Sequence, residues 1–129
     1  MVGIVIVSHS PKVAEGIKDI AQQMAKDVNI IAAGGTEGGE IGTDALKIQE
    51  AIFEANTGNG VIVMVDLGSA VLSAETALEF LDEELRKNVR IADAPIVEGA
   101  IVAAVQASTG AGLEEVISTA SEAYNLRKL

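Results

Sequence analysis

Two hydrophobic rhythms alternate along this chain. Residues 1–8, 28–33, 61–65 and 89–92 are short, nearly continuous apolar runs rich in Val and Ile. Runs of that length without polar alternation predict strands buried on both faces. Helical spacing fills the intervals. Pro11, with Ser10 as cap, opens a helix that places Val13, Ile17, Ile20, Ala21 and Met24 on one face. A second helix is expected from Thr43-Asp44 to about Ala55, with Ile48, Ile52 and Ala55 inward and Asn56-Thr57-Gly58-Asn59-Gly60 as its stop. A third carries Val71, Ala74, Leu78, Leu81 and Leu85 at 3-4-3-4 spacing, with Ser69 as its expected cap. The last, after Ser108-Thr109-Gly110, sets Leu113, Val116, Ile117, Ala120 and Tyr124 on one face.

The helix after Pro95, through about Ala107, is apolar nearly all round. Such a helix is either sandwiched inside the fold or buried against a second subunit, and in so small a domain the second is favoured. Strands alternating with helices predict right-handed crossovers. The expected fold class is α/β: one domain over 1–129, a doubly wound, mainly parallel sheet of four or five strands in the order 2-1-3-4, with helices on both faces.

Composition narrows the function classes. Apolar residues make up 49% of 129 and aromatics only 2%, so the core must be aliphatic and stacking platforms for bases or flavins are scarce. A formal charge of −10 leaves no basic footprint for nucleic acid and disfavours anionic membranes. It suits solubility or a basic protein partner. Without cysteine there is neither a disulfide framework nor a thiolate metal site, and one histidine makes a zinc site unexpected. No apolar run approaches the roughly 18 residues of a membrane span, and no signal-type leader is visible; a cytoplasmic protein is expected.

The lone histidine, His9, ends the first apolar run, and Asp66 ends the third. In the order 2-1-3-4 both fall at one crevice, with the loop Gly34–Gly42 on the other flank of His9. An imidazole attacks through one nitrogen when a carboxylate holds the proton on the other, which makes His9 the candidate nucleophile and Asp66 its orienting group. Gly68 and Ser69 open a helix whose N-terminal amides suit a phosphoryl group. Ser10, Gly35, Thr36 and Gly39 are further candidate phosphate contacts, the glycine loop closing over the site. That loop lacks the Gly-Lys-Ser/Thr ending of a P-loop. A receiver domain also ends its third strand in aspartate, but needs an acidic pair where this chain has Ser8-His9. A flavodoxin-type binder is opposed by the missing phosphate loop after strand one.

Val-Ser-His-Ser at 7–10, the run from Gly34 to Asp44, Val-Asp-Leu-Gly-Ser at 65–69 and Val-Glu-Gly-Ala at 97–100 carry a resemblance spanning essentially the whole chain. It resembles the mannose-family IIA fold of the bacterial phosphotransferase system, and more closely the phosphotransfer subunits of phosphoenolpyruvate-dependent dihydroxyacetone kinases. The resemblance implies that the phosphocarrier HPr phosphorylates His9 on Nε2, with Asp66 bonding the other nitrogen. It implies onward transfer to ADP held in a nucleotide-binding kinase subunit, the regenerated ATP then phosphorylating dihydroxyacetone. It further implies a homodimer, no metal and no cofactor in this subunit, and, for a chain ending at Leu129, separate carrier proteins. The alternatives are a IIA component of a mannose-type sugar transporter and a non-catalytic adaptor.

Overall fold

The computed structural model describes all 129 residues. Four parallel strands, β1 (Gly3–Ser8), β2 (Ile30–Gly34), β3 (Val61–Val65) and β4 (Val89–Ile91), lie in the order β2-β1-β3-β4. No fifth strand forms. The helices are α1 (Pro11–Met24), α2 (Ala45–Ala55), α3 (Gly68–Glu79), the single turn α4 (Glu83–Arg86), α5 (Ile96–Ser108) and α6 (Leu113–Glu122), followed by a 3₁₀ turn, Ala123–Asn125.

The pleat sorts the central strands into two cores. Ile4, Ile6, Ile62 and Met64 face α1, α5 and α6, while Val5, Val7, Val63 and Val65 face α2 and α3. Every residue of β1 and β3 is buried, as expected for strands covered on both faces. The chain leaves β1 for α1 on one face and leaves β2 for α2 on the other. The resulting crevice opens at the carboxyl ends of β1 and β3.

Four helical expectations change. Small residues replace large ones on the buried faces: α1 buries Ala14, Ile17 and Ala21, whereas Val13, Ile20 and Met24 are exposed. The third helix breaks after Glu79, and Asp82 caps the separate turn α4 through its bond to the Leu85 amide. Leu85 therefore packs from α4, and Leu81 from the link that precedes it. Tyr124 lies on the 3₁₀ turn, exposed, with its hydroxyl donating to Asp93. The helix favoured as a subunit contact is sandwiched: Gly99, Ala100, Ala103, Ala104 and Ala107 of α5 are buried, with α1 and α6 packed beside it. Only Val97 and Val105, each 39% exposed, remain as an outward apolar stripe.

Two glycines matter to the crevice. A Cβ on Gly34 would stand 2.6 Å from the Ser10 carbonyl oxygen and 2.7 Å from Pro11 Cα, so the end of β2 must be glycine for the chain after His9 to pass. Gly35 has φ +72° and rests against Pro11, a left-handed conformation that side chains rarely adopt.

Candidate active site

His9 follows β1 directly and Asp66 follows β3 directly, so the Val7–Val65 pairing of these neighbouring strands carries both to the same edge. Asp66 accepts four hydrogen bonds. Oδ1 takes His9 Nδ1 at 2.9 Å and the Leu67 amide at 2.8 Å. Oδ2 takes the Ser8 hydroxyl at 2.9 Å and the His9 amide at 3.0 Å. Burial pushes the Asp66 carboxyl up, but these four donors outweigh it and hold it below the usual carboxylate range. An ionised carboxylate only accepts, so Nδ1 carries the ring proton and Nε2 presents its lone pair.

Nε2 points at Ser69, whose Oγ lies 2.5 Å away. By the tautomer argument that hydroxyl donates. Ser69 is therefore not the cap of α3; Leu67 occupies that position and has no capping side chain. The amides of Gly68 and Ser69 bond to no protein acceptor, and a Cβ on Gly68 would meet open space. Two donors at the positive end of a twelve-residue helix thus stand uncovered beside the nucleophilic nitrogen.

The other candidates are placed differently. The Ser10 hydroxyl accepts from the Val13 amide as the cap of α1, and the Ser10 amide donates to Ser8 Oγ. In the glycine loop, the Gly35 amide bonds Ser8 O, the Thr36 amide bonds Glu40 O, and the Gly39 amide bonds Thr36 O. Thr36 Oγ1 accepts from the Glu40 amide. The amides expected to cradle phosphate are engaged within the fold; they shape the loop. Its tie to His9 itself is the Gly42 amide, which donates to the His9 carbonyl at 2.9 Å.

Four contributors were not among the site residues expected from the sequence. Ser8, 1% exposed, is the polar end of an otherwise apolar strand and holds Asp66. Thr43 and Ser73 share a 2.6 Å hydroxyl contact that pins the end of the loop to α3. Lys47 Nζ donates to Gly34 O at 2.8 Å, securing α2 to the end of β2. Ser8 alone carried a signal, as a hydroxyl beside His9 in a buried run.

The site is a rim rather than a pocket. A cavity of about 600 Å³ borders Asp66, Leu67 and Gly68 and runs between α3 and β4, but His9 does not line it. No three His, Cys, Asp or Glu side chains converge to hold a metal ion. No helix is long and apolar enough to cross a membrane.

Known proteins resemble this chain over most of its length. The family model described as the fructose IIA component of the phosphotransferase system, EIIA-man, matches residues 3–117. A Listeria innocua protein named as phosphoryl donor subunit DhaM of PEP-dependent dihydroxyacetone kinase 2 is 46% identical, covering 91% of this chain and 94% of the relative. The Escherichia coli K12 phosphoryl donor subunit DhaM is 44% identical over 99% of this chain. The chain spans 28% of the length of that protein and 28% of its Providencia stuartii counterpart. A crystal structure of a protein of unknown function, EF1359, superposes with a TM-score of 0.85 at 37% identity, covering 92% of each chain. With most of its length matched by the family model and near-complete alignment to a relative of its own size, the chain belongs to the EIIA-man family, among the relatives named as dihydroxyacetone kinase phosphoryl donor subunits.

Proposed function

We propose that this protein is a phosphohistidine carrier: HPr phosphorylates Nε2 of His9, and the group passes to ADP held in the nucleotide-binding subunit of a dihydroxyacetone kinase. One observation carries the reading. The only imidazole of the chain has Nδ1 fixed by Asp66 and Nε2 directed at the uncovered start of α3. The relatives' names, which specify phosphoryl donation, supply the acceptor system.

In the forward step, the Nε2 lone pair forms a bond to phosphorus as the bond between phosphorus and the donor breaks. The ring becomes positive, and Asp66, still ionised, stabilises that charge through Nδ1–H. Ser69 must swing aside, since its hydroxyl occupies the approach to Nε2, and it then donates to a phosphoryl oxygen beside the Gly68 and Ser69 amides. The group adds roughly −1.5 to −2 charge. The chain already carries −10, but distant carboxylates are screened over about 8 Å at physiological salt, whereas helix donors act at contact. In the second step the nitrogen–phosphorus bond breaks as a β-phosphate oxygen of ADP attacks, and Nε2 recovers its lone pair. Transfer of this kind rests on alignment and electrostatics, which a strand end tied to Asp66 by three hydrogen bonds supplies. The subunit needs no metal or bound cofactor of its own.

A rim-mounted nitrogen suits protein-borne phosphate better than a small substrate enclosed in a pocket. The proposed homodimer would cover Val13, Ile20 and Met24 of α1 with Val97 and Val105 of α5, and cytoplasmic residence follows from HPr as donor. Phosphorus NMR after incubation with phosphoenolpyruvate, enzyme I and HPr tests the reading. An acid-labile phosphoramidate signal is expected, absent from His9→Ala, and discharged by the kinase subunit loaded with ADP. Discharge only by a transporter IIB domain would overturn the acceptor assignment.

A further inference from the structure

Ser69, His9 and Asp66 stand in the order that acyl transfer requires. Asp66 Oδ1 holds His9 Nδ1 at 2.9 Å, and Nε2 takes the Ser69 hydroxyl at 2.5 Å. The ring therefore faces an oxygen that it can deprotonate, with a carboxylate behind it to stabilise the resulting imidazolium. In the carrier role Ser69 must leave this position before Nε2 can react. Where it stands, it is aligned for a reaction of its own.

Two further features complete the arrangement. The Gly68 and Ser69 amides bond to no protein acceptor, and a Cβ on Gly68 would meet open space. In serine hydrolases the nucleophile's own amide and a neighbouring one hold the oxyanion of the tetrahedral intermediate. The cavity of about 600 Å³ that borders Gly68 is walled by Val71 and Leu78 of α3 and by Val89 and Ile91 of β4. It gives an apolar acyl group room next to Ser69, while the exposed position of Ser69 leaves the reacting carbon open to water.

We propose that Ser69 is a nucleophile towards carboxylic esters, with His9 as general base, Asp66 as orienting group and the Gly68 and Ser69 amides as oxyanion donors. Ser69 Oγ bonds to the acyl carbon as its proton passes to Nε2. The bond from that carbon to the alcohol oxygen then breaks, and Nε2–H returns the proton to the departing alcohol. Water, deprotonated by the same nitrogen, attacks the acyl-serine, which releases the carboxylic acid and restores the Ser69 hydroxyl. The hydrolysis goes beyond the carrier reading and needs no phosphoryl donor or kinase subunit, so the two fail separately.

Hydrolysis of p-nitrophenyl butyrate and labelling by a fluorophosphonate test it on the unphosphorylated protein. Wild type should release p-nitrophenol above the rate in buffer, and mass spectrometry should place the phosphonyl group on Ser69. Ser69→Ala and His9→Ala should each lose about tenfold or more of the protein-dependent rate, with circular dichroism unchanged. A Ser69→Ala rate equal to wild type would assign the reaction to direct attack by the imidazole. That result, a label on another residue, or no release above buffer would overturn the proposal and leave phosphoryl transfer untouched.

Discussion

The two flanks of His9 are built on opposite plans. On the β3 side, one carboxylate gathers four donors and fixes both the ring and the backbone of His9. On the β2 side no side chain hydrogen-bonds the ring; glycines let the chain pass, and backbone bonds close the loop. Chemistry is concentrated on one flank and space on the other. A substitution on the first should change what the imidazole does. On the second it should change where the imidazole is.

The strongest test of that division is Asp66→Ala. It frees Nδ1 to lose its proton preference and strands the hydroxyl of Ser8, which is 1% exposed. Loss of an imidazole-orienting carboxylate costs on the order of 10⁴-fold in serine proteases. A fall of about 10³-fold or more in His9 phosphorylation is expected here, with the fold retained, as read by quench-flow and circular dichroism. A loss below tenfold would show that the β3 flank does not govern reactivity.

Next comes a pair of alanines on the glycine flank. Gly34→Ala would drive a Cβ to 2.6 Å from the Ser10 carbonyl oxygen and shift the segment after His9. Overpacking of this kind costs about 1–3 kcal/mol, and a displaced nucleophile should lose about tenfold or more in rate. Gly39→Ala meets nothing within 4 Å and carries only the strain of φ +83°, about 1–2 kcal/mol, with rate nearly unchanged. Equal effects on rate would mean that the loop tip, rather than the root beside Pro11, positions the site.

How far the sequence foretold these flanks follows from which forces each needs. Strand order, the capping of α1 by Ser10 and the meeting of His9 with Asp66 follow from apolar runs and topology, and those were legible. The glycine loop was visible only as glycine. Whether an amide such as that of Gly35 faces a ligand or the carbonyl of Ser8 depends on backbone turns that no spacing encodes. Ser69 misled for a related reason. A serine opening a helix satisfies the capping pattern, yet its hydroxyl is drawn to an imidazole 60 residues away. The break before Asp82 was hidden because Leu78, Leu81 and Leu85 keep helical spacing from α3 through the link into α4.

Ser8→Ala probes the β3 flank more gently. It removes a buried donor to Asp66 and an acceptor for the Ser10 amide, worth about 1–3 kcal/mol together. The pH dependence identifies the cause. Asp66 titrates below its ordinary 3.8 when folded, so its stabilisation is complete above that value and is lost as pH falls through the folded pKa. With one lowering bond gone, the folded pKa of the variant moves up towards 3.8. Wild type should therefore lead most at neutral pH, with the gap narrowing below pH 3.8, followed by urea unfolding across pH 2–7. A gap constant with pH would assign the loss to the Ser10 amide instead.

The smallest effect concerns the join between the two flanks. Thr43 follows the glycine loop and Ser73 lies on α3, one turn beyond Ser69, so their 2.6 Å hydroxyl contact is a side-chain hydrogen bond linking the root of the loop to the helix that faces Nε2. A neutral hydrogen bond contributes about 0.5–1.5 kcal/mol. Thr43→Val and Ser73→Ala should each cost about that much, and the double variant should cost no more than the larger single, the mark of a shared interaction in a double-mutant cycle. Each leaves a hydroxyl without its partner, so the singles alone cannot separate the bond from desolvation; the coupling term can. If the link also steadies the loop against α3, amide exchange at Gly42 should quicken in both singles equally, while Gly39 at the loop tip stays as in wild type. Exchange that quickens at Gly39 alone would show that the two flanks move independently and meet only through His9.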